Sequence, residues 1–356
     1  IPVKSATTNY PNVLKAMQMA VLAVNDAGGI KGRPLKLIHC DDRDSPTLAE
    51  ICGRQLMNDE KVISIIGSPT RQMVAVWPTI ESTKTPNFAN IPILGQDFTS
   101  KYSFPLTGGI AGAGVMPKGV AEVNSIKTLA FVRSDTVSGS GQLAVSKPAY
   151  EKVGVKVVDI KINPAGGDAE QICFLIKRSG ADHVQLTVAP VLGTALVKTC
   201  TRLGVAQDLD WLANGGATEP AMLQAFSAAK IPLTVSSNLG FDETRFPMRK
   251  ELNAQFKKYG AKLGLLDGSS DSPAQSWLGV MLFSKIAAQL PSITKENFKA
   301  FLDKQSNLYT GMTKNLDFTR PVSPAYPRIF NGYYLRGKLK NGKIFDDAKL
   351  WVDGIN

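Results

Sequence analysis

The feature that most constrains this chain is a repeated alternation between short apolar runs of strand composition and segments whose apolar residues recur at helical spacing. VISIIG (62–67), KTLAFV (127–132), VKVVDIK (155–161), DHVQLTV (182–188) and DLDWLAN (208–214) read as strands, and TPNFAN (85–90) as an extended segment. Between them, residues 13–25, 47–59, 73–82, 115–124, 142–153, 169–179 and 193–203 read as helices; in the first, Leu14, Met17, Val21 and Val24 share one face. Strands that are apolar throughout are buried on both faces, so the alternation implies parallel sheets covered by helices. The rhythm restarts after the glycine-rich GGIAGAG (108–114), which predicts two α/β units. A length of 356 residues agrees, because single cores rarely grow past roughly 250 to 300 residues. Ligands of such sheets bind outside the carboxyl ends of the strands.

The stretch NDAGGIKGRPLKLIHCDDRDS (25–45) raises three readings: phosphate loop, metal site or structural joint. Gly28 and Gly29 end the first helix, Gly32 and Arg33 turn the chain, and residues 33–40 read as a strand. Asp41, Asp42 and Asp44 lack the regular alternation, glycine and terminal glutamate of a calcium loop. They read as a turn into the next helix, with Ser45 or Asp44 as its N-cap. Past residue 241 the strand rhythm stops. Two long helices, 248–259 and 274–290, are expected to return to the first unit, and the tail FNGYYLRGKLKNGKIF (330–345), with its Asn341-Gly342 turn, to add antiparallel strands at a sheet edge.

Several function classes lose support. The longest apolar run, WLGVMLFSKIAAQL (277–290), is interrupted by Lys285 and falls short of the ~18 residues of a membrane span. The opening residues IPVKSATTNYP have no charged and apolar signal regions, as expected of a processed or trimmed form. The net charge of +11 is spread along the chain, whereas nucleic-acid binding favours dense basic clusters with interleaved aromatics. No cysteine pair has zinc-knuckle spacing, so no metal is expected. Cys40, Cys52, Cys173 and Cys200 allow three pairings; the local ones, 40 with 52 and 173 with 200, each join an element to the next helix and imply an oxidising compartment. Four buried free thiols are the alternative.

Catalytic candidates are few. His39 and His183 both fall on strands and read as structural, and no nucleophile elbow, zincin pair or Walker loop occurs. GSGQLA (139–144) matches a dinucleotide fingerprint, with Asp159 beyond it, but RSDTVS (133–138) makes the intervening loop too long for a pyrophosphate turn. A nicotinamide-dependent enzyme is therefore the weaker alternative, and the loop is read as lining a binding surface, with Thr136, Ser138 and Ser140 able to meet a small anion. The remaining strand-end loops are SPTRQ (68–72), ANIP (89–92), APV (189–191) and NGGAT (214–218). Only Arg71 carries charge there, and a guanidinium at a strand end suits bidentate binding of a carboxylate.

NDAGGIKGRPLKL followed by DDRDS, then IIGSPTRQ, TPNFAN, DTVSGSG, GADHVQL and the helix around residues 275–277, resembles the type I periplasmic solute-binding proteins of the leucine/isoleucine/valine-binding family over nearly the whole chain. The resemblance implies an α/β fold of two lobes, each a mainly parallel sheet flanked by helices, joined by a three-crossing hinge. Matched by segment, lobe I covers 1–110 and 241–318, lobe II covers 111–240 and 319–356, and the crossings lie near Ile110, Gly240 and Phe318. It further implies a periplasmic monomer that is not an enzyme, has no cofactor, closes on a small-molecule ligand and delivers it to an ABC permease. A ligand-sensing domain of a receptor or regulator is the other use of this fold. The family's first strand is missing before TTNYP, which affects the first binding loop, Thr8, Asn9 and Tyr10.

The resemblance places the ligand-binding positions at Tyr10, Ser68, Thr70, Arg71, Gln72, Ala89, Asn90, Ile91, Thr136, Ser138, Pro190, Asn214, Gly215 and Gln275. Relatives that bind amino acids hold the carboxylate with first-lobe hydroxyl and backbone groups, here Thr70 to Gln72 and Ala89 to Ile91. They hold the ammonium with second-lobe aromatics and an acidic residue. Here Ser138 replaces the tyrosine, and the acidic position falls in 214–216, where no carboxylate stands. An ammonium without its ion pair in a dry site is costly. The expected ligand is thus an aromatic or branched carboxylic acid, with an amino acid next.

Overall fold

The computed structural model describes residues 1–5, 10–93, 95–109, 125–215, 219–266, 270–346 and 351–353. In chain order the helices are α1 (Pro11–Asp26), α2 (Pro46–Arg54), α3 (Met73–Thr83), α4 (Val137–Lys152), α5 (Ala169–Arg178), α6 (Pro190–Arg202), α7 (Pro220–Ala229), α8 (Pro247–Leu263), α9 (Asp271–Ala287) and α10 (Lys295–Asp303). The strands are β1 (Ile65–Ile66), β2 (Asn87–Phe88), β3 (Ser103–Phe104), β4 (Thr128–Ser134), β5 (Lys156–Ile162), β6 (His183–Thr187), β7 (Asp210–Asn214), β8 (Leu233–Ser237), β9 (Tyr333–Lys340), β10 (Lys343–Asp346) and β11 (Val352–Asp353).

The chain divides into two compact units, unit 1 of Ile1–Gly109 with Glu243–Asn331 and unit 2 of Ile110–Asp242 with Gly332–Asn356. The last change of unit therefore follows Asn331 rather than Phe318. Side-chain chemistry explains the difference: Arg328 donates from its backbone N–H to the Phe98 carbonyl at 3.0 Å and from Nε to the Ser103 carbonyl at 2.9 Å. Phe318 meets Phe104 and Phe330 edge-on, and Asn331 Nδ2 reaches the Leu106 carbonyl at 3.0 Å. The crossing expected near Ile110 and the helix expected at 115–124 lie outside the described residues.

Unit 2 carries the longer sheet. Its strand order is β10-β9-β8-β7-β6-β4-β5, with β11 also on β9; β5 through β8 are parallel, and the tail strands pair antiparallel. The alternation within TLAFVRS sorts side chains to two faces. Ala130 and Val132 join Ile160, Ile172, Val184, Leu196 and Trp211 in one core, whereas Leu129 and Phe131 join Tyr150, Val155 and Leu212 in the other. Asn341 and Gly342, both at positive φ (50° and 75°), close the β9–β10 hairpin as its turn signal predicts.

In unit 1 the described strands are short: β1, β2 and β3 pair in parallel over two residues each. Residues 33–40 do not form a strand, because no described strand runs beside them to complete a ladder. Instead the Asn25 amide imitates one rung, donating to the Leu35 carbonyl at 3.0 Å and accepting from the Leu35 N–H at 2.7 Å. Gly29 caps α1 through Val24 at 2.9 Å, and a Cβ there would sit 2.2 Å from the Arg33 carbonyl oxygen, so the turn needs glycine. Helix α9 is buried nearly all round, from Pro273 to Phe283, as its apolar composition requires. Gly279 brings it close to β1 and to the loop after β2: a Cβ there would lie 3.1 Å from Ile66 Cγ2 and 2.6 Å from Ala89 Cβ.

Both local cysteine pairs are disulfides. Cys40–Cys52 ties the extended segment to α2, and Cys173–Cys200 ties α5 to α6 inside the unit 2 core.

Candidate ligand-binding site

In unit 1 the loop after β1 gathers Tyr10, Thr70, Arg71 and Gln72 with two aspartates from the turn before α2. The Thr70 hydroxyl donates to Asp42 Oδ2, Gln72 Nε2 donates to Asp44 Oδ1 at 3.1 Å, and the Gln72 N–H returns to Thr70 Oγ1 at 3.2 Å. Ser45 caps α2 by accepting from the Leu48 N–H, so Asp42 and Asp44 are left to brace this loop. Sequence reasoning read the aspartates as a turn alone. Spacing gave no sign of their second role, since the two segments stand 28 residues apart.

Arg71 lies against the Tyr10 phenol. Burial pushes that phenol above its ordinary pKa, and the adjacent guanidinium, which hydrogen-bonds it, offsets the rise only in part. Arg71 forms no ion pair with any described residue, although Asp42 and Asp44 are engaged nearby. A half-buried guanidinium with no ion-pair partner among the described residues can offer its forked donors to an incoming anion.

The second loop of unit 1 follows β2. Ala89 adopts a left-handed conformation (φ 56°), and Asn90, 1% exposed, donates to Ser103 Oγ at 3.2 Å while its Oδ1 has no partner among the described residues. Gln275 fixes this loop from α9: its Nε2 donates to the carbonyls of Ala89 (3.3 Å) and Asn90 (3.2 Å), and its Oε1 accepts from Thr107 (3.2 Å). Gln275 therefore positions the loop. Ser68 is buried beside it and Ile91 is half-buried.

In unit 2 a recess lies between α4 and the carboxyl-terminal half of the sheet. Gln142, Ser146 and Tyr150 line it at successive four-residue steps of the helix, and Phe131, Gln185, Thr187 and Asn214 line it from β4, β6 and β7. No charged side chain is among them. Tyr150 donates to Gln185 Oε1 at 3.2 Å, and burial, helped by Tyr334, holds its phenol far above its ordinary pKa, so it stays neutral. Of the residues expected from sequence, only Asn214 lines this recess; Gln142, Ser146, Gln185 and Thr187 were missed. The polar Gln185 inside an apolar strand was the available signal.

The loop expected to line the site is largely spent on structure. Helix α4 begins at Val137, five residues earlier than its apolar pattern suggests, and β4 runs to Ser134, so the connection is short rather than long. Thr136 caps the helix by accepting from the Gly139 N–H at 3.1 Å, and Ser140 Oγ accepts from Arg133 at 3.1 Å. Gly139 is required because a Cβ would meet the Ser134 carbonyl oxygen at 2.2 Å. Asp159 is held by both Nε (2.7 Å) and Nη2 (2.9 Å) of buried Arg133, which removes it as a ribose ligand. Ser138 lies in the first turn of α4, Pro190 opens α6, and Gly215 is buried just after β7. Thr8, Asn9 and residues 216–218 lie outside the described residues.

Of the two histidines, His183 opens β6 as expected, whereas His39 lies in the extended segment 33–40 that forms no strand. His183 is buried with Nδ1 3.3 Å from Asp182 and Nε2 3.5 Å from Asp210, and His39 Nε2 meets the Ile1 carbonyl at 2.9 Å. No group of metal-ligating residues occurs among the described residues, and no described helix is long and apolar enough to cross a membrane.

Residues 5–327 match the family described as periplasmic binding protein. Comparison with curated proteins returns no match. Among solved structures, the chain resembles the branched-chain amino acid transporter substrate-binding protein LivJ of Streptococcus pneumoniae in complex with isoleucine (16% identity, TM-score 0.76, covering 98% of this chain and 97% of that one). It also resembles an ABC-transporter solute-binding protein of Rhodopseudomonas palustris in complex with 3,4-dihydroxybenzoic acid (17%, TM-score 0.78, 100% and 96%). A third is an ABC-transporter solute-binding protein of R. palustris in complex with benzoate (14%, TM-score 0.77, 98% and 93%).

Proposed function

The chain belongs to the periplasmic binding protein family, and from that premise we propose that it is the extracytoplasmic solute-binding component of an ABC importer for a small carboxylic acid, aromatic or branched, that lacks an α-ammonium group. The observation that carries this reading is Arg71, in the loop after β1 of unit 1, which forms no ion pair with any described residue; the recess of unit 2, taken by itself, has no charged side chain among its described lining residues. A carboxylate meets a forked cation in unit 1, and an ammonium would find no partner in unit 2. The mechanism is closure without chemistry: ligand engages the unit 1 loops first, and contacts from unit 2 then stabilise a closed form that a permease accepts. Solved relatives that bind benzoate and dihydroxybenzoate lend support, while the isoleucine complex keeps amino acids as the second ligand class. The two disulfides suit an oxidising, extracytoplasmic compartment.

Calorimetric titration with benzoate, leucine and valine tests the reading. Micromolar binding of the aromatic acid, about 8 kcal/mol, is expected. Tight binding of leucine or valine with no response to aromatic acids would overturn it.

A further inference from the structure

We propose that the recess under α4 is a hydroxyl subsite: it receives one uncharged hydroxyl of the ligand and makes the protein select hydroxylated carboxylic acids over their unsubstituted counterparts. The proposal rests on the carboxylate reading above and specifies the other end of the ligand.

The recess holds three polar groups without internal partners. Gln142 Oε1 is buried and accepts nothing among the described residues. The Thr187 hydroxyl and the Asn214 amide, at the ends of β6 and β7, make no side-chain hydrogen bond there either, although both line the same space. A buried acceptor left unpaired costs about 1–3 kcal/mol, which a group that supplies a donor would recover. The donor must come with a small group, because the free space is about 10 Å³, the volume needed for one water-sized group.

The lining decides what kind of group. With no cation or anion present and Tyr150 held neutral, a charged group would enter without compensation. A methyl group would fit by size but would leave Gln142, Thr187 and Asn214 unsatisfied. A hydroxyl donates one hydrogen bond and accepts others, which matches an acceptor beside a hydroxyl and an amide. Phe131, 1% exposed, closes the apolar side of the recess and leaves room for the hydroxyl alone. Selectivity of this kind arises because a site built to pair a hydroxyl is left with unpaired polar groups by the analogue that lacks it.

The test is calorimetric titration of the whole protein with benzoate and with 2-, 3- and 4-hydroxybenzoate, repeated on the near-isosteric variants Gln142→Met and Thr187→Val. The expected result is a preference of tenfold or more for one hydroxybenzoate over benzoate, falling toward one in either variant. Equal affinity for benzoate and all three hydroxybenzoates in the wild type would overturn the subsite while leaving the carboxylate reading standing. Binding of none of the acids would overturn the subsite and the aromatic form of the carboxylate reading, leaving only its branched form. If the variants lose thermal stability yet keep the wild-type preference ratio, the recess holds a structural water only, and the proposal fails.

Discussion

The loop cluster of unit 1 and the recess of unit 2 solve opposite problems. In unit 1, Arg71 hydrogen-bonds the Tyr10 phenol and forms no ion pair with any described residue, while Asp42 and Asp44 accept hydrogen bonds from Thr70 and Gln72. In unit 2, no described residue lining the recess is charged, and Arg133 on β4 is paired with Asp159. The two regions thus differ in what each could offer a ligand: a guanidinium in one unit, neutral hydrogen-bonding groups in the other.

The largest expected effect separates stability from recognition. Replacing Cys173 and Cys200 by alanine removes a crosslink closing a loop of 27 residues, which in the chain-entropy model costs about 3.5 kcal/mol. Thermal unfolding should show this loss. An unchanged melting temperature would mean that unit 2 is held by its sheet core alone. Next, Arg71→Gln should weaken binding of a carboxylic acid about 100-fold, the scale of a charged hydrogen-bonding pair. A change under twofold in calorimetry would move the charged end of the ligand elsewhere. Placing a charge in the neutral unit sharpens the contrast: Asn214→Asp should lower acid affinity about tenfold, because the new carboxylate lies buried near a ligand that carries the same charge.

The smallest effect is that of pH. Burial pushes the Asp182 carboxyl up, but the N–H groups of Lys127 and Thr128 and the adjacent His183 outweigh it and hold it below its ordinary value of 3.8. A carboxyl lowered in the folded state contributes stability that is present above pH 3.8 and lost as pH falls through its folded value. Asp182 is mostly exposed, so the contribution is modest. Asp182→Asn should flatten the acid limb of the unfolding curve, measured by circular dichroism between pH 5 and about pH 2. An acid limb as steep as that of the wild type would assign the transition to other carboxylates.

Much of the fold was legible because it rests on local pattern. The runs that became β4 through β7 are apolar on both faces, and Asn341-Gly342 fixed its hairpin by backbone conformation. The errors fall where partners are distant. Residues 33–40 have strand composition but no described strand to pair with, and segment 319–331 stays in unit 1 through contacts with residues more than 200 positions earlier. Helix α7 (PAMLQAFSAA), β8 (LTVSS) and α10 (KENFKAFLD) were not read from sequence; α10 carries a helical apolar pattern, with Phe298 and Leu302 buried, that was available.

The site was less legible for the same reason. Tyr10 and Arg71 were named individually, but their contact depends on the path of the chain between them. Thr136 and Ser140 have the composition of ligand contacts, yet the early start of α4 turns one into a cap and the other into an acceptor for Arg133. Gln142 and Thr187 are unremarkable in sequence. Only the sheet brings them to one recess.

The central claim is that the ligand is charged at its carboxylate end alone. Titration with 4-methylpentanoate and leucine tests it most directly, since the two share a skeleton and differ by the α-ammonium group. The account predicts that 4-methylpentanoate binds at least tenfold more tightly than leucine, a difference of about 1.4 kcal/mol. Equal affinity, or tighter binding of leucine, would contradict it.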